Sequence, residues 1–159
     1  MQDRLVKLNY PAAFDNAGSL LLRNRGCKQH CVNEAVKLFK KGADLGDPDS
    51  MMSLADLIHN GQATGNMIAL YQSAAARQPD NHAIALALGR VYFDLAMLDE
   101  AVEQLEKVEV RAPDLPVIHA YLGMVFEQRG QAAAALDEYR RALRSLSSFD
   151  WPHRCTACH

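Results

Sequence analysis

Residues 82–94 read His-Ala-Ile-Ala-Leu-Ala-Leu-Gly-Arg-Val-Tyr-Phe-Asp, and residues 116–128 read Pro-Val-Ile-His-Ala-Tyr-Leu-Gly-Met-Val-Phe-Glu-Gln. Overlaid, they set Leu88 on Leu122, Gly89 on Gly123 and Tyr92 on Phe126, a step of 34 residues. The same step extends backwards to Leu54, Ala55 and Ile58. It also links Met67, Ala101 and Ala135, then Tyr71, Leu105 and Tyr139, then Ala74, Val108 and Ala142. Pro79 and Pro113 close two of these repeats, and Ser147 stands where a third proline would fall. Self-similarity at a fixed period of this length predicts stacked helical hairpins, each burying its apolar face against the next. Such arrays characteristically bind other proteins along a concave face.

Local signals divide each repeat into two helices. Asp80 and Asn81 are cap residues ahead of the run Ala83 to Leu95, whose apolar positions recur at helical spacing. A turn around Met97 to Asp99 leads to a second helix over 99–110, which Ala112-Pro113-Asp114 ends. The pattern then recurs: a helix over 115–128, a turn at Arg129-Gly130 and a helix over 132–146. The small residues Gly89, Gly123, Ala101 and Ala135 mark places where two helices approach closely.

The residues Leu88, Gly89, Tyr92, Ala101 and Pro113, with Leu122, Gly123, Phe126, Gly130, Ala135, Tyr139 and Ala142, resemble the tetratricopeptide repeat pattern. Residues 34–47 and 51–61 resemble the related Sel1-like repeat. The resemblance spans roughly residues 12–149 and implies an all-α, right-handed superhelix (an α-solenoid) of about four antiparallel helical hairpins. The hairpins are expected at about 12–47, 48–81, 82–115 and 116–149, followed by a cysteine-containing tail at 150–159. Two departures stand out. Met67 replaces the usual small residue and is expected to splay the 48–81 hairpin. Residues 25–33, Arg-Gly-Cys-Lys-Gln-His-Cys-Val-Asn, are expected as a loop inserted between the first two helices.

In this family the first helix of each hairpin lines the groove. Carried over, those positions are Met52, Asp56, His59 and Asn60; Leu86, Arg90, Phe93 and Asp94; and Val117, Ala120, Met124, Glu127 and Gln128. Met and Phe beside an Arg suit a peptide or helix partner. Phe93 is read equally well as core. The Lys/Asn clamp with which some tetratricopeptide domains hold a C-terminal carboxylate is missing, since Leu86 and Arg90 occupy two of its positions.

Charge narrows the partner class. Seventeen Lys and Arg against nineteen Asp and Glu leave a net −2, without the basic surface that nucleic acid or an anionic membrane attracts. No apolar run approaches the ~20 residues of a membrane-spanning helix. Residues 1–9 alternate in charge and lack a signal-like apolar core, so the expected compartment is the cytoplasm. No residue set has the spacing of a catalytic nucleophile and base, and there is no glycine-rich phosphate loop, so an enzyme is not expected. His59, His82 and His119 are scattered over different hairpins, with no evident Ser, Cys or acidic partner at a catalytic spacing.

The four cysteines fall in two close pairs, Cys27/Cys31 and Cys155/Cys158. The tail ends Cys155-Thr-Ala-Cys158-His159. Three readings stand side by side. The first is half of a zinc or iron knuckle, since two thiolates at this spacing hold one edge of a tetrahedron. In this the tail resembles the start of the metal knuckle in LapB-type repeat adaptors of lipopolysaccharide control. The second is c-type haem attachment through Cys155, Cys158 and axial His159. The third is a pair of incidental thiols. Cys27 and Cys31, with His30 beside them, are expected as two thiols in a loop or short helix, too far along the array to complete a site with the tail. No cofactor is expected of the repeats themselves. Few residues follow Leu146 to cap the last hairpin, so the tail folding back through Trp151, a homodimer and a longer natural chain are the three expectations there.

Overall fold

The computed structural model describes residues 10–24 and 29–147. Eight helices occur among them: α1 (Pro11–Arg23), α2 (Gln29–Asp44), α3 (Pro48–His59), α4 (Met67–Arg77), α5 (His82–Asp94), α6 (Leu98–Arg111), α7 (Pro116–Gln128) and α8 (Ala132–Ser147). The fold is all-α, with no strand among the described residues. The chain divides into two compact units between Val91 and Tyr92.

The first unit is built on small residues that let helices meet. At Gly18 of α1 a Cβ would lie 2.5 Å from the Phe39 ring of α2, so glycine is what allows that ring to be buried. Ala35, Phe39, Leu54 and Leu57 form one apolar cluster, flanked by Leu21, Val36, Ile58 and Leu70. Met51, Ala74 and Ile84 form a second, which joins α3, α4 and the first turn of α5. The α2–α3 connection follows from its sequence. Gly46 takes φ +85°, the left-handed conformation in which glycine ends helices, and Asp47 N–H donates to the Gly42 carbonyl across the bend. Asp47 then caps α3, and Pro48 fills the first helical position, where no amide hydrogen is needed.

The second unit holds α6, α7 and α8. Tyr92 of α5, Ala101, Leu105 and Val108 of α6, Ile118, Leu122 and Val125 of α7, and Ala135 and Ala142 of α8 are its buried apolar residues. A Cβ at Gly123 would lie 2.6 Å from the Tyr139 ring, the close helix approach expected of that position. Gly130 takes φ +73° at the α7–α8 turn. The turn before α6 falls at Leu95 to Met97, slightly earlier than expected, and there Ala96 adopts the left-handed conformation at φ +57°.

At the hairpin expected to be splayed, Tyr71 and Ala74 of α4 are fully buried and Met67, the first residue of α4, is half-buried. One expectation changes. Residues 29–33, expected in a loop, form the start of α2. Cys31 there is buried and disulfide-bonded rather than a free thiol. Cys27, Trp151, Cys155, Cys158 and His159 lie outside the described residues.

Candidate partner-binding site

Asp56, one of the expected groove positions, sits in the middle of α3. Its carboxylate accepts the hydroxyl of Tyr71 from α4 and pairs with Arg90 of α5 at 3.4 Å. Asp56 and Arg90 are one repeat apart, so equivalent positions of successive first helices carry opposite charges and meet. Burial, and then the neighbouring Asp56 carboxylate, push the Tyr71 hydroxyl far above its ordinary range. It therefore remains a hydrogen donor. Arg90 Nε is buried without a hydrogen-bond partner, while its terminal nitrogen reaches Asp56. Both side chains remain substantially exposed, 48% for Asp56 and 40% for Arg90, so the pair forms a charged, pinned spot on the helix face.

The other expected residues of the first unit divide. Met52 is half-buried against the Met51–Ala74–Ile84 cluster, which makes it partly core. His59 and Leu86 are half-buried, and Asn60, the residue ending α3, is exposed. In the second unit Phe93 meets Tyr121 edge-on, with ring centroids 6.1 Å apart, and is half-buried. Such aromatic pairs favour this offset geometry. Ala120 is half-buried, whereas Asp94, Val117, Met124 and Gln128 are exposed. Glu127 accepts the Tyr139 hydroxyl at 2.8 Å. That hydroxyl is raised above its ordinary range by desolvation first and by Glu127 second.

A second polar constellation escapes sequence reading. His119, buried in α7, places Nδ1 2.9 Å from Glu138 Oε2 of α8 and Nε2 2.8 Å from the Pro113 carbonyl. Arg141 joins Glu138 to Glu109 of α6, at 3.4 and 3.1 Å. A cleft of about 250 Å³ opens over this network. The acidic partner of His119 lies 19 residues away. The signal was the hairpin itself: folding the chain at Gly130 returns α8 alongside the first turn of α7.

The architecture defines the class: helical hairpins recurring at a fixed step, the α-solenoid group of repeat proteins. Residues 57–125 match the tetratricopeptide repeat family. The chain is similar to solved structures of the same kind. A crystal structure of MamA is 21% identical, covers 92% of this chain and 85% of its own, and superposes with a TM-score of 0.75. YrrB, described as a TPR protein with an unusual peptide-binding site, is 19% identical, with 93% and 76% coverage and a TM-score of 0.73. MamA from Desulfovibrio magneticus RS-1, residues 41 to the end, is 17% identical, with 89% and 78% coverage and a TM-score of 0.68. At these identities the likeness is one of fold. No helix among the described residues is long and apolar enough to cross a membrane.

Proposed function

We propose that this chain works as a protein–protein interaction scaffold that holds a peptide or helix of its partner against the first helices of its hairpins. The scaffold class follows from the repeat fold, whose members are generally non-enzymatic. The observation that carries the finer reading is the exposure of Val117 and Met124 on α7, beside the Phe93–Tyr121 pair of the same unit. Apolar and aromatic side chains left at a surface, next to hydrogen-bonding groups such as Gln128, are what an amphipathic segment recognises. The peptide-binding site described for YrrB supports the same reading by analogy of fold. Arg90 is a poor anchor, because Asp56 already holds it.

The test is partner capture by the full chain and by a Met124→Ala, Phe93→Ala double variant, with circular dichroism confirming that both fold. Loss of partners by the folded variant is expected. Retention of every partner would remove the first-helix face from consideration.

The proposal extends to a second copy of the chain at the last repeat, because α8 leaves Leu136, Leu143 and Leu146 exposed. Sedimentation over a dilution series distinguishes a dimer from a monomer. A zinc or iron knuckle at Cys155 and Cys158, LapB-like or otherwise, is a separate proposal that metal analysis of the Cys155→Ser variant decides. The cytoplasm remains the proposed compartment, and the disulfide at Cys31 is the observation against it, since such bonds persist mainly in oxidising surroundings.

A further inference from the structure

We infer that α8 pairs with α8 of a second copy of this chain, the two helices running antiparallel about a two-fold axis. The inference rests on the second-copy reading above and adds how the copies meet.

The helix has 16 residues, a length of about 24 Å. Ala135 and Ala142 face its own unit and are buried. Beside them runs a second apolar line that the described residues leave open: Leu136, Leu143 and Leu146 are 49%, 65% and 57% exposed. Exposed Ala132 and half-buried Tyr139 complete it. Residues 132, 136, 139, 143 and 146 follow one another at steps of 4, 3, 4 and 3. That alternation is the seam of a helix that packs lengthwise against another helix.

The seam is self-complementary when two copies run in opposite directions. Arg141, engaged with Glu109 and Glu138 of its own chain, then marks the two-fold axis. Leu136 falls opposite Leu146 of the second copy and Tyr139 opposite Leu143, each twice, so large apolar side chains meet in every layer. A two-fold axis requires this kind of reciprocity. Charge selects the direction. Asp137 and Arg144 flank the seam one heptad apart. In antiparallel copies each Asp137 comes beside an Arg144; in parallel copies like charges would meet. The bond between Asp137 and Arg140 of the same helix, 3.2 Å, uses Oδ1 and leaves Oδ2 to face the second copy. The helix dipoles also favour opposite directions.

The far end of the chain offers no matching surface for a head-to-tail assembly. Leu20 and Leu22 of α1 are exposed, but they are two residues apart and fall on different sides of their helix. The seam lies on α8 alone, whereas Val117 and Met124 lie on α7. A dimer therefore carries two partner-binding faces, and a partner with two recognition segments is held by avidity.

The experiment is sedimentation of the full chain over a dilution series, in a Cys155→Ser, Cys158→Ser background so that tail thiols cannot link copies, with circular dichroism confirming each variant's fold. The parent should pass from monomer to dimer, with no larger species. Leu143→Arg should weaken dimerisation by at least about thirtyfold. At low salt, Asp137→Arg and Arg144→Asp should each weaken it by about fivefold or more, and the two together should restore it. A local effect of either change on its own helix cannot produce that recovery. A monomer at every concentration, with residues 148–159 left as the seam's cover, overturns the second-copy reading and the pairing with it. So does an oligomer that Leu143→Arg leaves intact. A dimer that Leu143→Arg breaks but the double charge reversal does not restore overturns the antiparallel pairing alone.

Discussion

The Tyr139 ring lies across Gly123 so closely that a Cβ at that glycine would come within 2.6 Å of it. The ring is part of the α7–α8 interface and its hydroxyl is held by Glu127, so it cannot swing clear without losing that bond. Gly123→Ala is therefore expected to destabilise the protein by about 1–3 kcal/mol through overpacking. For a domain of this size that lowers Tm by about 2–4 °C for each kcal/mol. Thermal unfolding followed by circular dichroism checks it. An unchanged Tm would mean that the two helices stand further apart.

Tyr71 tests the Asp56–Arg90 pair. Its hydroxyl is the donor to Asp56, and the residue is fully buried. Tyr71→Phe should cost about 1.5–3 kcal/mol, the usual range for a hydrogen bond to a charged group. The pH dependence has a definite sign. A hydroxyl whose folded pKa is raised keeps its proton in the native state after the unfolded chain has lost it, so stability is complete below pH 10 and falls as pH climbs above it. Tyr139 shifts in the same direction. Denaturant midpoints across the alkaline range should fall less steeply in Tyr71→Phe than in the parent chain. Parallel slopes would show that Tyr71 titrates normally.

Ala96 offers the opposite kind of test, a gain. It holds φ +57° at the turn before α6, where an L side chain is strained. One repeat later the corresponding residue is Gly130, at φ +73°. Met97 N–H bonds to the Tyr92 carbonyl as Gln131 N–H bonds to that of Phe126, so the two turns share one hydrogen-bond pattern. Ala96→Gly is expected to stabilise the protein by about 0.5–1 kcal/mol, relief of the side-chain strain exceeding the entropy of a more flexible unfolded chain. A lower Tm would show that the turn suits alanine.

The helices and their pairing were legible because the period of 34 is written in apolar and small side chains, and those set packing. Asp56 and Arg90 were legible as positions but not as a pair, although their separation equals the period. The His119–Glu138 contact was illegible at short range, because it depends on how α8 returns beside α7. The helical start at residues 29–33 was missed for another reason. His30, Cys31, Val32 and Asn33 carry weak helix preference, and the buried face of α2, with Cys31, Ala35 and Phe39, extends the helix back over them.

Asp47 joins local sequence to the fold most directly. Its carboxylate accepts the Ser50 amide at 2.9 Å and the Ser50 hydroxyl at 2.5 Å, and both residues are buried. One side chain therefore satisfies an unpaired amide of α3 and a buried hydroxyl next to Gly42 of α2. Asp47→Ala removes both bonds and strands the Ser50 hydroxyl, with an expected loss of about 2 kcal/mol, the upper end for a helix cap. Asp47→Asn keeps an acceptor for the amide and should lose roughly half as much. Pairing each change with Ser50→Ala separates the roles. If the hydroxyl bond matters, Asp47→Ala will cost less in the Ser50→Ala background than in the parent, because no buried hydroxyl is left unsatisfied. Equal losses in the two backgrounds would assign the whole effect to capping the amide.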